Sequence, residues 1–316
     1  MADDMLAAAD LIADALDLSG TEISNVLDAA PVMARMPFVP SSNGTTHKYI
    51  AVTQNPVVPF RAINAGKDFD SSIDVAVSAT LTYLDISFAV DKAYADVWRR
   101  GGAEALIARE GLAHIRSGFA TLEDQFFNDT DTSAFSGLSV LTPYDTKDDS
   151  SGKVIDAGGT TASTGSSVWL LNVGEMTGVC MVYRGDGPGL ELGETIVQNI
   201  GAADANISAY YTPGGGWFGS QVPHTSGHGV TRICNLTEDS GKGLTDDLLA
   251  QAIAIHPIGQ KPTVACMSRR SHRQLQESRT ATNATGAPAP FPTEAFGVEL
   301  IVTDAIPDTE TLLSAE

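Results

Sequence analysis

Apolar residues alternate cleanly along residues 73–90. Ile73, Val75, Val77, Ala79, Leu81 and Tyr83 take the odd positions, with mostly polar residues between them. Side chains two apart share one face of a strand, so this pattern predicts a half-covered β-strand. At Tyr83–Leu84 the phase slips, and Leu84, Ile86, Phe88 and Val90 take the even positions. A one-residue slip turns the apolar set to the opposite face, which a bulge or a crossing between two sheets accommodates. Upstream, residues 45–63 read as extended through Tyr49, Ala51, Val52, Val57, Val58 and Phe60, and residues 65–70 form a polar, turn-rich tip. Residues 46–90 therefore predict a long two-armed hairpin.

Past Asp91 the rhythm becomes helical. Leu112, Ile115, Phe119, Leu122 and Phe126 step by three and four, one apolar stripe on a helix. Gly101–Gly102 and Gly111 predict interruptions, giving a short helix over 91–99, a break, and a main helix over about 103–127. Residues 3–17 and about 21–36 predict two short helices that look like an arm rather than a domain. Residues 136–166 read as loop. Strands are predicted at 168–173, 178–183 and 229–235, with a polar Gly/Pro-rich excursion over 184–228 between the second and third. Helix 244–255, strand 263–267, helix 268–279, strand 298–303 and a short strand at 311–313 complete an α+β reading. Arms and loops of this length are uncommon in a self-contained enzyme.

At 316 residues the chain suits one large domain or two intimate ones. Thirty-nine acidic against 19 basic residues leave a formal charge of −20. So acidic a chain opposes tight sequence-independent nucleic-acid binding, which needs clustered Lys or Arg. The excess of Asp and scarcity of Lys suit either a saline host or a nucleotide bias. Cys180, Cys234 and Cys266 lie far apart among apolar neighbours, which predicts buried free thiols. No N-terminal signal peptide is expected, because Asp3, Asp4, Asp10 and Asp14 stand where basic residues would. No apolar run reaches the roughly 18 residues of a membrane span.

The search for chemistry returns no catalytic, cofactor-binding or metal site. No GxSxG elbow, phosphate loop or HExxH occurs. Gly185, Gly187 and Gly189 enclose Pro188 and precede no helix. His224 and His228 are four apart, but in a loop and without a carboxylate to complete a zinc set. Asp129, Asp131 and Ser133 begin like a calcium loop, yet Ala134 replaces its glycine and Val140 its glutamate; Asp145, Asp149 and Asp156 fail in the same place. His47, His114, His256 and His272 stand apart from any such constellation.

Several segments, in order, resemble the major capsid proteins of tailed viruses, which share the Hong Kong 97-type fold. They are the strands and helix ending Leu122–Asp129 with Phe135-Ser136-Gly137-Leu138; Ser166–Gly174 through Tyr183 and Gly187–Leu190; Gly229–Asn235; Arg269-Arg270-Ser271-His272-Arg273-Gln274-Leu275; and Gly297–Ile306, where Glu299 replaces the pattern's proline. The resemblance spans about two-thirds of the chain and implies a definite division. Residues 1–45 would be an N-terminal arm and 46–90 the extended loop lying over a neighbouring subunit. Residues 91–135 and 165–237 would form the peripheral domain, with a spine helix at about 103–127. Residues 136–164 and 238–316 would form the axial domain and connecting loops. It further implies a non-enzymatic shell of hexamers and pentamers around double-stranded DNA, with no cofactor or membrane. The chain would be made in the host cytoplasm, reside in the virion, and meet itself and scaffold, portal or decoration proteins. Some members cross-link Lys to Asn, and Lys67 lies at the loop tip where such a lysine could lie, but the sequence offers no identifiable glutamate and asparagine partners, so Lys67 reads as a solvated tip lysine. An encapsulin-type nanocompartment shell is the alternative of the same fold.

Overall fold

The computed structural model describes residues 6–15, 20–54, 56–66, 68–147, 152–174, 178–185, 189–201, 206–223, 229–256, 258–281 and 287–314. Six α-helices are seen among them: α1 (Ala8–Ala15), α2 (Gly20–Leu27), α3 (Lys92–Asp96), α4 (Gly102–Asn128), α5 (Asp246–Ile255) and α6 (Arg269–Ala281). Helix α4 has 27 residues, about 40 Å at the α-helical rise. The Gly101–Gly102 break is present, but Gly111 does not interrupt α4; it is a buried position facing the Phe88 ring. The helix stops at Asp129, which is left-handed at φ 55°. There the Asp129 Oδ1 accepts the Gly137 N–H at 2.9 Å. A Cβ on Gly137 would stand 2.4 Å from the Asp129 nitrogen, so only glycine lets the returning chain lie this close.

A six-stranded sheet runs in the order Glu294–Ala295, Val298–Val302, Val264–Met267, Ser166–Leu171, Val230–Leu236, Val154–Asp156. Its three central strands are buried along their whole length, because both faces are covered. Val168, Leu170, Ile233 and Met267 pack against α5 and α6 through Leu249, Ala252 and Leu275. Trp169, on the other face, meets Phe127 at 6.4 Å and Tyr144 at 5.8 Å. The expected boundary at residue 237 falls just after a strand of this sheet. The strand 166–171 meets the end of α4 through Trp169 and Phe127, and strands 166–171 and 230–236 share one hydrogen-bonded sheet with the C-terminal strands.

A second sheet joins Leu6–Ala7, Pro37–Pro40, Cys180–Tyr183, Gly214–Gln221 and Glu191–Leu192, with Thr82–Asp85 also pairing to Gly214–Gln221. A third holds Ile196–Ile200, Ile207–Thr212 and Phe88–Asp91. The 184–228 excursion therefore contains strands where a polar loop was expected. Its Gly214–Gly216 run is strand paired with Thr82–Asp85 and Glu191–Leu192, and a Cβ on Gly215 would stand 2.4 Å from the Tyr83 hydroxyl oxygen.

The hairpin of Thr46–Gln54 and Ile73–Thr80 is a separate two-stranded sheet and ends at Thr80, short of residue 90. The phase slip marks passage into two further sheets, one holding Thr82–Asp85 and the other Phe88–Asp91. The N-terminal segment packs on the body. Leu11, Ile12, Val26, Met33, Met36 and Phe38 are all at most 3% exposed and share one core with Ile115, Phe119, Leu122 and Phe126 of α4. The expected strand at 311–313 is absent; that segment is tied instead by Asn235, whose Oδ1 accepts the Leu313 N–H at 2.8 Å.

Candidate functional site

No cluster of three His, Cys, Asp or Glu side chains able to hold a metal occurs among the described residues, and the surfaces that stand out are apolar. At the base of the hairpin the Tyr49 hydroxyl donates to the Val222 carbonyl at 2.8 Å, and His47 Nε2 pairs with Gln221 Oε1 at 2.9 Å. Burial pushes the Tyr49 phenol up to about 12, so it stays a neutral donor. Beyond that anchorage the limbs leave the body. Asp70 ties one limb to the other by accepting the Val57 N–H at 2.9 Å. Yet Phe60, Ile63 and Phe69 are each more than 90% exposed, and Val57 and Val58 are also exposed. An apolar patch this size marks a surface that another molecule covers.

The N-terminal segment is held in the opposite way. Glu123, on α4, is wholly buried. Its Oε2 accepts the N–H groups of Val32 and Met33 at 2.9 and 3.1 Å, and its Oε1 accepts the Thr303 hydroxyl. Burial raises its carboxyl to about 7, against the lowering effect of these three donors. One carboxylate thus joins the N-terminal segment, the long helix and the end of the last strand. Sequence reasoning missed it, although Glu123 falls four residues after Phe119 and three before Phe126, within the apolar stripe.

The residues behind the resemblance tie the fold together. Arg270 donates to the carbonyls of Asp308, Thr164 and Leu236, and Arg269 pairs with Asp304 at 2.5 Å. Arg273 pairs with Glu238 and Glu277, and Leu275 is buried. Arg232 lies buried over Trp169, donating to Ser167 Oγ, the Tyr144 carbonyl and Glu310.

The residues weighed for chemistry have structural partners. Asp131 Oδ1 accepts from the Ser133 N–H and hydroxyl, and with Asp129 it forms the stop after α4. Asp156 accepts from Asn235 and the Gly158 N–H. Cys180, Cys234 and Cys266 are buried; burial pushes the Cys234 thiol to about 12 and that of Cys266 well above its ordinary value, which suppresses the reactive thiolate. His114 stacks on Phe88, His256 pairs with Thr231 and His272 with the Pro292 carbonyl. Lys67, Asp149, Gly187, His224 and His228 lie outside the described residues. Among the described residues no helix is long and apolar enough to cross a membrane.

The feature that stands out is an anchored hairpin with exposed apolar side chains at its tip. Residues 18–311 match the profile of the major capsid protein GP7 family. The chain belongs to that family. This capsid protein is similar to a near-atomic cryo-EM structure of bacteriophage epsilon15, with a TM-score of 0.63, 19% identity and 87% of each chain covered. Further likenesses are the bacteriophage JBD30 capsid (TM-score 0.47, 10% identity, 85% of this chain and 88% of that one) and the SrpI encapsulin of Synechococcus elongatus (TM-score 0.40, 13% identity, 63% and 85%). No curated protein matches. The fold is the Hong Kong 97 type that the residues resembled, and the protein is a subunit of an icosahedral capsid shell that associates with itself.

Proposed function

We propose that this capsid protein acts by assembly alone, forming the hexamers and pentamers of a viral head around double-stranded DNA. Helix α4 serves as the spine of the peripheral part, together with the sheets of residues 82–91 and 180–221. The six-stranded sheet with α5 and α6 forms the axial part. The hairpin of residues 46–80 is the extended loop that lies over a neighbouring subunit. The observation that carries this reading is the hairpin itself. Large apolar side chains at its tip are bare while its base is hydrogen-bonded to the body, so its cover belongs to another copy.

The charge distribution suits the contents. Six of the twelve arginines (35, 232, 269, 270, 273 and 279) are paired to carboxylates of their own chain, and the net charge is −20. A shell of such subunits encloses DNA without gripping it. Scaffold, portal or decoration proteins are its further partners, and it is made in the host cytoplasm before residing in the virion. Negative-stain microscopy and size-exclusion chromatography of the expressed chain test the reading. Closed icosahedral particles are expected; a monomer or dimer at every concentration would sink it. Particles that need a cargo enzyme and never a genome would favour the nanocompartment alternative.

A further inference from the structure

The three-stranded sheet ends in an edge that a lone soluble protein would guard. Ile196–Ile200 pairs on one side with Ile207–Thr212, and among the described residues no strand lies on its other side. Exposed edges are ordinarily blunted by a charge, a proline or a bulge. This strand reads Ile-Val-Gln-Asn-Ile, with none of these. Ile196 is 48% exposed, Val197 56%, and Ile207 on the adjoining strand 50%. The pairing register puts Ile200 opposite Ile207, Gln198 opposite Ala209 and Ile196 opposite Tyr211, so these six side chains share one face. Apart from the Gln198 amide and the Tyr211 hydroxyl that face is apolar, and it runs to an open row of backbone donors and acceptors.

Charge identifies the occupant. Residues 195–231 contain one Asp, Glu, Lys or Arg, namely Asp204, in a chain that carries 58 such residues in all. Two copies of a subunit with charge −20 repel almost everywhere, and they approach at least cost where formal charge is missing. A basic partner would instead be drawn to the acidic surface.

We propose that Ile196–Ile200 is a strand-addition interface, which pairs antiparallel with the same strand of a second copy about a two-fold axis. This rests on the assembly reading above. A two-fold centred on Gln198 places Ile196 opposite Ile200 of the other copy on the apolar face, and Gln198 opposite itself. Two three-stranded sheets thereby become one continuous sheet of six, in which the edge groups of both copies are hydrogen-bonded.

The symmetry makes the test specific. Directly opposed Cα atoms lie about 4.5–5.5 Å apart, within disulfide range, whereas diagonal neighbours lie about 7–8 Å apart, beyond it. Gln198→Cys is introduced into the full chain, whose native cysteines are all buried. Particles are assembled under reducing conditions, oxidised and run on a non-reducing gel. Covalent dimers are expected from Gln198→Cys, while Val197→Cys and Asn199→Cys, each facing the other's position, stay monomeric. A second variant, Val197→Lys, puts a charge on the edge; it should keep the circular dichroism of the wild type and lose assembly at concentrations where wild type assembles. Particles of Gln198→Cys that give no dimer overturn the inference, as does Val197→Lys assembling normally. Failure of the wild-type chain to form particles overturns the assembly reading itself, which separates the two outcomes.

Discussion

Residues 8–40 and residues 46–80 are neighbours in sequence, both rich in large apolar side chains, and they meet opposite fates. In the first, Leu11, Ile12, Met33 and Phe38 vanish into a core shared with α4. In the second, Val58, Phe60, Ile63 and Phe69 stand in solvent. The difference lies in what each segment can reach. Helix α2 packs on α4 and α1 packs on α2, and the strand Pro37–Pro40 adds in parallel to Cys180–Tyr183. The hairpin is tied to the body at Tyr49 and Val222, and among the described residues its two strands pair only with each other. Burial therefore follows from the partner available, and the same apolar content stabilises the subunit in one segment and serves association in the other.

Phe38→Ala should give the largest effect in this comparison. The ring is fully buried, edge-on to Phe119 at 6.5 Å and to Phe218 at 6.2 Å. Removing such a side chain costs about 3–5 kcal/mol, which urea denaturation of the unassembled subunit would measure. A cost near zero would mean that the N-terminal segment is not part of the subunit's core in solution.

Glu123 gives the next effect, and it depends on pH. The carboxyl titrates near 4.5 when unfolded and near 7 when buried. Between those values the folded chain holds a proton that the unfolded chain has lost, so this group's contribution to stability falls as pH rises from about 4.5 to about 7 and is flat outside that window. Glu123→Gln keeps an oxygen for the Val32 and Met33 N–H groups but cannot ionise. The gap between wild type and Glu123→Gln should therefore change across that window, with wild type losing ground as pH rises. Parallel stability curves from pH 4 to 8 would show that the buried carboxyl does not titrate there.

How much of this was legible in the sequence depended on whether the deciding contact was local. Helix α4 was readable because Ile115, Phe119, Leu122 and Phe126 mark one face by spacing alone. The central strands were readable because Val168–Leu171 and Ile233–Cys234 are continuous apolar runs. The crossing from the hairpin into the body was signalled by the slip at Tyr83–Leu84. The strands within 184–228 were hidden because Gly214–Gly216 looks like a turn until Tyr83 is seen crossing it. The packing of the N-terminal segment was hidden for the same reason. Its short helices look marginal until Glu123 and Phe119, some ninety residues away, are brought beside them. The assembly surfaces were partly readable, as extended limbs with a polar tip, but the bareness of Phe60 and the unguarded edge at Ile196–Ile200 are properties of the folded chain.

The smallest effect on the subunit should come from the hairpin tip, where that smallness is itself the evidence. Phe60→Ser combined with Phe69→Ser removes two rings that touch little of their own chain, since both are more than 90% exposed. Folding buries almost none of their area, so their loss leaves the unfolding midpoint of the isolated subunit unchanged. Assembly must respond differently, because covering two phenylalanine rings is a large part of what a second copy gains by lying under the hairpin. Light scattering of the double variant should show assembly lost at concentrations where wild type forms particles, with circular dichroism unaltered. If the variant assembled as wild type does, the tip would have no neighbour to cover it. If it lowered the subunit's midpoint as Phe38→Ala does, the two segments would not differ in kind, and the separation between a core that folds the subunit and a surface that joins copies would fail.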